Sequence, residues 1–191
     1  HMSTRNKSFL EMHYFLRAKG LVNNAFMLSL IDTDLAGVDP FDPNLSLHMK
    51  QKIHNACRRN FWYYVRECVR VVQTGSPQGV PFILHRGNMA FFFVILQNIN
   101  VWFELPRQQG KTLSAEVFYS WLYNFGTANT EIWFSHTKQA FAVDNLDAVK
   151  NIISMLPSYL QMRQEYSMIG DKKKKAKDNA TSLENAINHN N

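Results

Sequence analysis

Residues Leu105 to Thr112 read Leu-Pro-Arg-Gln-Gln-Gly-Lys-Thr and end in the Gly-Lys-Ser/Thr pattern of a phosphate-binding loop. In such a loop a glycine at Gly110 lets the backbone approach a phosphate, and Lys111 reaches the β- and γ-phosphates. The Thr112 hydroxyl ligates Mg²⁺, and the amides that open the next helix add partial positive charge. Leu105 stands where the usual motif has its first glycine, and Gly-Lys-Thr is common by chance. Whether the segment is a phosphate-binding loop therefore depends on the elements that flank it.

The segments on both sides of this loop have the patterns that a phosphate-binding loop needs. Asn100 to Leu105 is a short apolar run that predicts a buried parallel strand. After Thr112, apolar residues recur at helical spacing as far as Asn124-Phe125-Gly126, where the helix is expected to end. A strand, a tight loop and an amphipathic helix in this order favour phosphate binding over the alternative, a βα connection with an incidental lysine.

The length, composition and charge of the chain indicate its number of domains and the kind of partner it favours. The chain has 191 residues, of which 46% are hydrophobic and 13% aromatic, enough for one domain with a core or one domain with an extension. No apolar run reaches about 18 residues without charges, so no membrane span is predicted. The formal net charge of +6 favours polyanionic partners, nucleic acid first.

The region before the loop has mainly helical patterns. A long helix capped by Ser46 is predicted over Leu47–Val72, with Cys57 and Cys68 on its apolar face. The two cysteines would then lie three turns apart, so we expect neither a disulfide nor a metal site, as suits a reducing cytoplasm. Four arginines are expected on the other face, which is either a solvated basic surface or a DNA contact. These are Arg58, Arg59, Arg66 and Arg70.

The turn-rich segment Thr74–Gly79 is the predicted boundary between a helical N-terminal extension, residues 1–75, and a nucleotide-binding part, residues 76–170. Residues 171–191 form a basic and polar tail, whose lysine run Lys172–Lys175 is expected to be a solvated hairpin or frayed end rather than a DNA contact. Three further elements are predicted in the nucleotide-binding part: helix His85–Ile95, parallel strand Glu131–Ser135 and helix His136–Leu156. The alternation predicts an α/β fold, a P-loop NTPase-like parallel sheet flanked by helices and preceded by the helical extension.

Arg107-Gln108-Gln109-Gly110-Lys111-Thr112 resembles the deviant P-loop of the large terminase subunits of tailed bacteriophages, the ATPases that pump genomic DNA into procapsids. That family usually lacks the leading glycine, so Leu105 fits its pattern. Three other segments also resemble the family, so that the resemblance covers roughly residues 80 to 165. They are Leu84–Asn88, with Asn88 at the position of the adenine-binding glutamine, Ser135–Lys138, and Leu156–Leu160.

The resemblance implies a role for each of these site residues. Lys111 would hold the β- and γ-phosphates, Thr112 the Mg²⁺, and Asn88 the adenine. Arg107 would neutralise charge that develops on the γ-phosphoryl group, unless it forms a structural salt bridge at the loop. The nucleotide-binding set would be completed by Gln108, Gln109 and Gly110. For His136 and Lys138 the resemblance leaves two alternatives open, a phosphate or DNA contact and an ordinary loop after a strand.

The resemblance further implies a motor that uses ATP and Mg²⁺ to package double-stranded DNA. Its partners would be the portal protein and the small terminase subunit, in a ring on the portal, in the host cell cytoplasm and away from membranes. Such an ATPase needs acidic residues at the end of a later apolar strand. After Thr112 one acid follows an apolar run, Asp144, and it lies within a predicted helix. We therefore expect an incomplete ATPase domain that lacks the Walker B acids and the nuclease domain, and that binds nucleotide weakly with little or no turnover.

Two other functions remain open on the sequence. One is a superfamily-2 helicase-like DNA-dependent ATPase, which shares the glutamine motif and Gly-Lys-Thr. The other is a non-catalytic module that binds DNA or protein through its basic surface and keeps a vestigial P-loop.

Overall fold

The computed structural model describes residues 4–73, 75–100, 102, 104, 110–135, 137–161, 166–169, 172–185 and 187–191, with the backbone alone at 166–169 and 172–175. Within these residues the fold is a mixture of helices and small sheets. The helices are α1 Lys7–Ala18, α2 Leu47–Arg59, α3 Phe61–Tyr63, α4 Arg86–Leu96, α5 Lys111–Phe125 and α6 Gln139–Ser154. Short 3-10 turns cover Ala25–Leu28, Thr33–Leu35 and Ser158–Leu160. The strands are β1 Arg70–Gln73, β2 Ser76–Pro81, β3 Tyr166–Ile169, β4 Lys172–Lys175, β5 Asp178–Asn179 and β6 Ser182–Leu183.

The helices with the clearest sequence signals form where they were predicted. α4, α5 and α6 match the three predicted helices of the nucleotide-binding part to within a few residues. Ser46 caps α2 as expected, because its Oγ accepts a hydrogen bond from the Met49 amide at 3.2 Å. Gly126 follows the last residue of α5, where the predicted helix ends.

The prediction of one long helix from Leu47 to Val72 is wrong. α2 ends at Arg59, and Asn60 leaves the helical region with φ −139° and ψ 97°. Its side-chain oxygen instead accepts a hydrogen bond from the Tyr63 amide at 3.2 Å, which caps the single turn α3. A π-helical turn, Tyr64–Cys68, then leads into β1. An asparagine side chain can replace a backbone carbonyl as the acceptor of a hydrogen bond. At Asn60 this ends α2 and begins α3 in a new direction.

This break also overturns the expected separation of the two cysteines. The Sγ atoms of Cys57 and Cys68 lie 3.5 Å apart, and both side chains are fully buried. Both are free thiols in this structure, and the three-turn separation from which we expected no disulfide is wrong. Burial raises the pKa of the Cys68 thiol well above its ordinary value, with a further contribution from the hydrogen bond to Cys57.

All three sheets in the described part of the chain are antiparallel two-stranded pairs: β1 with β2, β3 with β4, and β5 with β6. The lysine run of β4 thus forms a hairpin with β3, one of the two outcomes expected for it. Residues Glu131–Ser135 do not form the predicted strand, although the backbone at their start is hydrogen-bonded to another segment. The Asn191 amide donates to the Thr130 carbonyl at 2.9 Å and the Ile132 amide to the Asn191 carbonyl at 2.6 Å, the pattern of a single parallel bridge.

The other predicted parallel strand, Asn100–Leu105, falls mostly outside the described residues. Its described members Asn100, Trp102 and Glu104 are not in a strand. The described fold is therefore mixed helix and strand, without the parallel sheet that the sequence predicts. A parallel strand depends on a neighbour at least a dozen residues away in sequence, which its own apolar pattern does not specify.

One hydrophobic core takes side chains from both sides of the predicted boundary at residue 75. The Phe61 ring contacts those of Phe92, Phe118 and Trp121 with centroid separations of 4.9, 5.7 and 5.5 Å. Within the boundary segment, residues 76–79 form the first part of β2, which pairs antiparallel with β1. No helix among the described residues has the length and apolar character to span a bilayer.

The N-terminus of α1 holds the segment that leads into α4. Asn6 Nδ2 donates to the Phe82 carbonyl at 2.8 Å and to the Arg66 carbonyl at 3.3 Å. Ser8 Oγ accepts a hydrogen bond from the Leu84 amide at 3.0 Å. These bonds connect the N-terminal helix directly to the base of α4, which borders the candidate site.

Candidate phosphate-binding site

The candidate site lies at the start of α5. Of the predicted loop residues, Arg107, Gln108 and Gln109 lie outside the described residues, whereas Gly110, Lys111 and Thr112 are described. Gly110 is the N-cap of α5 and has a left-handed conformation, with φ 71° and ψ 20°. The side chains of Lys111 and Thr112, the first two residues of the helix, are both exposed.

The start of α5 has the electrostatic features of an anion site. Its amides lack partners within the helix, and the helix dipole places partial positive charge at this end. No acidic side chain occurs in the first turn of this 15-residue helix. An exposed lysine and an exposed threonine hydroxyl at the same end add a cation and a metal ligand, so a phosphate group fits here.

Glycine is required at position 110 for two reasons. A φ of 71° is unfavourable for residues with a Cβ atom. A Cβ atom on Gly110 would also lie 3.0 Å from Asn88 Nδ2. The backbone conformation that turns the chain into α5 therefore depends on the glycine of the Gly-Lys-Thr motif.

Asn88 lies directly against this turn. It is the third residue of α4 and is 2% exposed. Its Oδ1 accepts a hydrogen bond from the His85 amide at 3.1 Å. Its Nδ2 donates to Ser114 Oγ at 2.6 Å and to the Gly110 carbonyl at 3.3 Å. The sequence predicts Asn88 as part of the nucleotide site, and the structure brings it to the loop through contacts with protein atoms.

Ser114 is a site residue that the sequence analysis missed. Its Oγ donates to the Gly110 carbonyl at 2.8 Å, and its amide donates to the same oxygen at 2.9 Å. A serine within a helix often returns its hydroxyl to the carbonyl four residues earlier, and Ser114 is four residues after Gly110. That spacing was the available signal, and it indicates local support of the turn.

Glu116 is the buried acid of α5. It is 7% exposed, and burial raises the pKa of its carboxyl from 4.5 to about 7. It follows Thr112 by one helical turn, yet its carboxyl is buried whereas Thr112 is exposed. Among the described residues no group of three or more histidine, cysteine or acidic side chains could hold a metal ion. Thr112 is thus the described candidate ligand for Mg²⁺, with the other positions open to phosphate oxygens and water.

Other residues that the sequence analysis singled out lie farther along the chain than the loop, and the described ones differ in how buried they are. His136 lies outside the described residues, and Lys138 is the exposed residue that precedes α6. Leu156 and Leu160 are buried in the main core, where they anchor the end of α6. Asp144 lies within α6, as predicted.

The expectation that four arginines share one solvated face is wrong for two of them. Arg66 is fully buried: its Nε forms an ion pair with the Glu67 carboxylate at 2.6 Å, and another guanidinium nitrogen donates to the Met27 carbonyl. The Arg70 guanidinium lies 4.1 Å from the centroid of the Phe41 ring. Arg58 and Arg59 remain exposed at the end of α2. The basic surface is therefore smaller than the helical pattern indicates.

A cavity of about 400 Å³ lies elsewhere, between α5, α6, residues 131–134 and the segment 177–183. Aromatic side chains form much of its wall, among them Tyr119, Tyr123, Trp133 and Phe134. Its walls belong to the middle of α5 rather than to the start of the helix. We therefore place the candidate chemistry at Gly110–Thr112 and not in this cavity.

A scan against protein-family models finds no match to this chain, and a search of curated proteins finds none either. The assignment of the site therefore rests on the motif and on the geometry around Gly110.

Proposed function

We propose that this chain binds the triphosphate of a nucleotide at the start of α5. The observation that carries this proposal is the conformation of the motif: Gly110 is left-handed at the N-cap, and Lys111 and Thr112 occupy the first two positions of the helix, where both are exposed. This places the Gly-Lys-Thr residues at the turn that opens a helix, which is where a phosphate-binding loop has them. An incidental lysine in a βα connection does not require the glycine conformation or the absence of acids in the first turn.

The residues of the motif divide the binding between them. The amides at the start of α5 donate to phosphate oxygens, and the Lys111 ammonium neutralises the β- and γ-phosphates. The Thr112 hydroxyl provides one ligand to Mg²⁺, which would screen phosphate charge when bound. From the resemblance, Gln108 and Gln109 complete the loop and Arg107 acts on the γ-phosphoryl group.

We further propose that the chain is the nucleotide-binding part of a DNA-packaging ATPase similar to phage large terminases. In this proposal Asn100–Leu105 and Glu131–Ser135 belong to a parallel P-loop NTPase-like sheet, with α5 as the helix between them. The single parallel bridge between Glu131 and Asn191 supports a parallel neighbour for the second segment. The order of elements, with α6 after Glu131–Ser135, supports the same alternation.

The proposed setting of the complete motor follows from the same resemblance. Its substrates are ATP and double-stranded DNA, and its partners are the portal protein and the small terminase subunit, in a ring in the host cell cytoplasm. The net charge of +6 and the exposed Arg58 and Arg59 support a polyanionic partner. Asp144 lies within α6, and Glu184, which follows β6, belongs to an antiparallel pair. Neither acid ends a parallel strand, so we propose that this chain alone binds nucleotide with little turnover.

The test is equilibrium binding of Mg-ATP to the wild-type chain and to Lys111→Ala and Arg107→Ala. We expect a dissociation constant roughly between micromolar and millimolar, weakened at least about tenfold in Lys111→Ala, which is about 1.4 kcal/mol. Lys7→Ala is the matched control, because Lys7 is also an exposed lysine at the first position of a helix. It should bind Mg-ATP as the wild type does.

Equal affinity of the wild type and Lys111→Ala for Mg-ATP would rule the proposed site out. If neither protein binds millimolar nucleotide and both bind DNA with the same salt dependence, the non-catalytic interaction module is the better account.

A further inference from the structure

We infer that Asn88 orients the peptide between Gly110 and Lys111, and so sets the affinity for phosphate, instead of contacting the base of the nucleotide. This inference rests on the nucleotide-binding function proposed above and assigns Asn88 the role of a positioning residue.

The hydrogen bonds of Asn88 leave its amide no free proton. A primary amide has two protons to donate, and here one goes to Ser114 Oγ and one to the Gly110 carbonyl. Its oxygen accepts from the His85 amide, and the side chain is 2% exposed. Donation from this amide to a base would need one of these buried bonds to break, at the cost of an unsatisfied partner, and at 2% exposure the side chain is shielded from a ligand in solvent.

The Gly110 carbonyl accepts three hydrogen bonds. The donors are the Ser114 amide at 2.9 Å, Ser114 Oγ at 2.8 Å and Asn88 Nδ2 at 3.3 Å. Its oxygen and the Lys111 N–H belong to one planar trans peptide, so they point in opposite directions. Because the carbonyl is held toward Asn88 and Ser114, the Lys111 amide is held toward the N-terminal end of α5, where the proposed phosphate lies.

α4 gives Asn88 a rigid base for this role. Phe92, one turn after Asn88, is fully buried and its ring lies 4.9 Å from that of Phe61. The residue before His85, Leu84, is bonded through its amide to Ser8 of α1. Asn88 thus connects the turn at Gly110 to the main core, and its hydrogen bonds fix the turn before any ligand arrives.

The test compares three ligands that share phosphates and differ in the base: Mg-ATP, Mg-GTP and Mg-tripolyphosphate, measured by titration calorimetry. We expect Asn88→Ala to weaken all three by the same factor, roughly three- to tenfold, the effect of one or two lost hydrogen bonds. Ser114→Ala should weaken all three in the same way. The matched control is Ser120→Ala, a fully buried serine of α5 whose Oγ is bonded to the Tyr64 hydroxyl, 2.8 Å away. It should leave all three affinities within about twofold of the wild type.

Asn88→Ser guards against simple loss of structure. Its hydroxyl adds no charge but is too short to replace both bonds of the amide, to the Ser114 hydroxyl and to the Gly110 carbonyl. We expect circular dichroism to show that it stays folded, and we expect it to weaken tripolyphosphate binding about as much as Asn88→Ala does. A loss confined to Mg-ATP, with tripolyphosphate unchanged, would show that Asn88 reads the base and would overturn the inference.

The amide resonances of the ligand-free protein provide a second readout that does not depend on nucleotide binding. We expect Asn88→Ala to shift the Lys111 amide signal and to speed hydrogen exchange at Ser114, and Ser120→Ala to do neither. If the wild type binds no phosphate ligand, the proposed function fails; an unchanged Lys111 amide in Asn88→Ala would instead refute the positioning role.

Discussion

The residues around α5 differ most in how much of their polar chemistry is already satisfied inside the protein. The Asn88 amide and the Ser114 hydroxyl are hydrogen-bonded to each other and to the Gly110 carbonyl, whereas the side chains of Lys111 and Thr112 are exposed. Buried polar groups that are fully bonded make a site rigid. In the proposed site, Asn88 and Ser114 support the turn, whereas Lys111 and Thr112, a few positions before Ser114 in α5, bind the ligand.

The buried carboxyl of Glu116 makes the protein less stable as pH rises. Its pKa is about 7 in the folded chain, against 4.5 for the ordinary carboxyl, so between these values the folded state holds a proton that the unfolded state has released. The free energy of unfolding therefore falls as pH rises from about 4.5 to about 7 and is level above that range. We expect Glu116→Gln, which cannot ionise, to be more stable than the wild type at pH 8, by roughly 1–3 kcal/mol.

At pH 4 this advantage of Glu116→Gln should disappear, since both side chains are then neutral. Urea unfolding at pH 4, 6 and 8 measures the difference. Glu11→Gln, at an exposed position of α1, serves as control and should show no such trend. An advantage of Glu116→Gln that is the same at all three pH values would contradict the assignment.

Among the elements, the break between α2 and α3 has the largest consequence. Asn60 caps α3 and also donates through Nδ2 to the Ser29 carbonyl at 3.2 Å. The redirected chain brings Cys68 to Cys57 and buries Arg66 beneath the 3-10 turn that contains Met27. Because of Asn60, the predicted continuous helix is instead interrupted by a corner between α2 and α3, and the core is built around this corner.

Loss of this cap should be measurable. We expect Asn60→Ala to lower the free energy of unfolding by about 1–2 kcal/mol, because the Tyr63 amide loses its capping oxygen and Ser29 its donor. Asn55→Ala, at an exposed position of α2, should change stability by less than about 0.5 kcal/mol. Chemical denaturation of the two variants decides the matter, and equal stabilities would mean that Asn60 is not the residue that stabilises the corner.

For the whole molecule, the shared core argues that the N-terminal region and the segment from α4 to α6 unfold together. The single side chain of Phe61 contacts rings on both α4 and α5. Hydrogen bonds from Asn6 and Ser8 add polar links between α1 and the segment before α4. The stability of the proposed nucleotide site therefore depends on residues far from Gly110.

We therefore expect Phe61→Ala to destabilise the chain by about 3–5 kcal/mol, the usual cost of removing a large buried aromatic side chain. Unfolding followed by tryptophan fluorescence and by far-ultraviolet circular dichroism should give coincident transitions in the wild type. Leu47→Ala, at a side chain that is 74% exposed, is the control and should have little effect. Two separate transitions would instead indicate independent units on either side of residue 75.

Local signals in the sequence determined α4, α5, α6, the Ser46 cap and the Gly-Lys-Thr motif, because periodicity, caps and the need for glycine act over a few residues. Only the tertiary structure decided the approach of Cys57 to Cys68, the burial of Arg66 and the contact of Asn88 with Gly110. Each of these depends on the path of the chain between distant residues, and the break at Asn60 changed that path. The apolar run Glu131–Ser135 depends on distant residues in the same way, since a strand forms only where a partner supplies its hydrogen bonds.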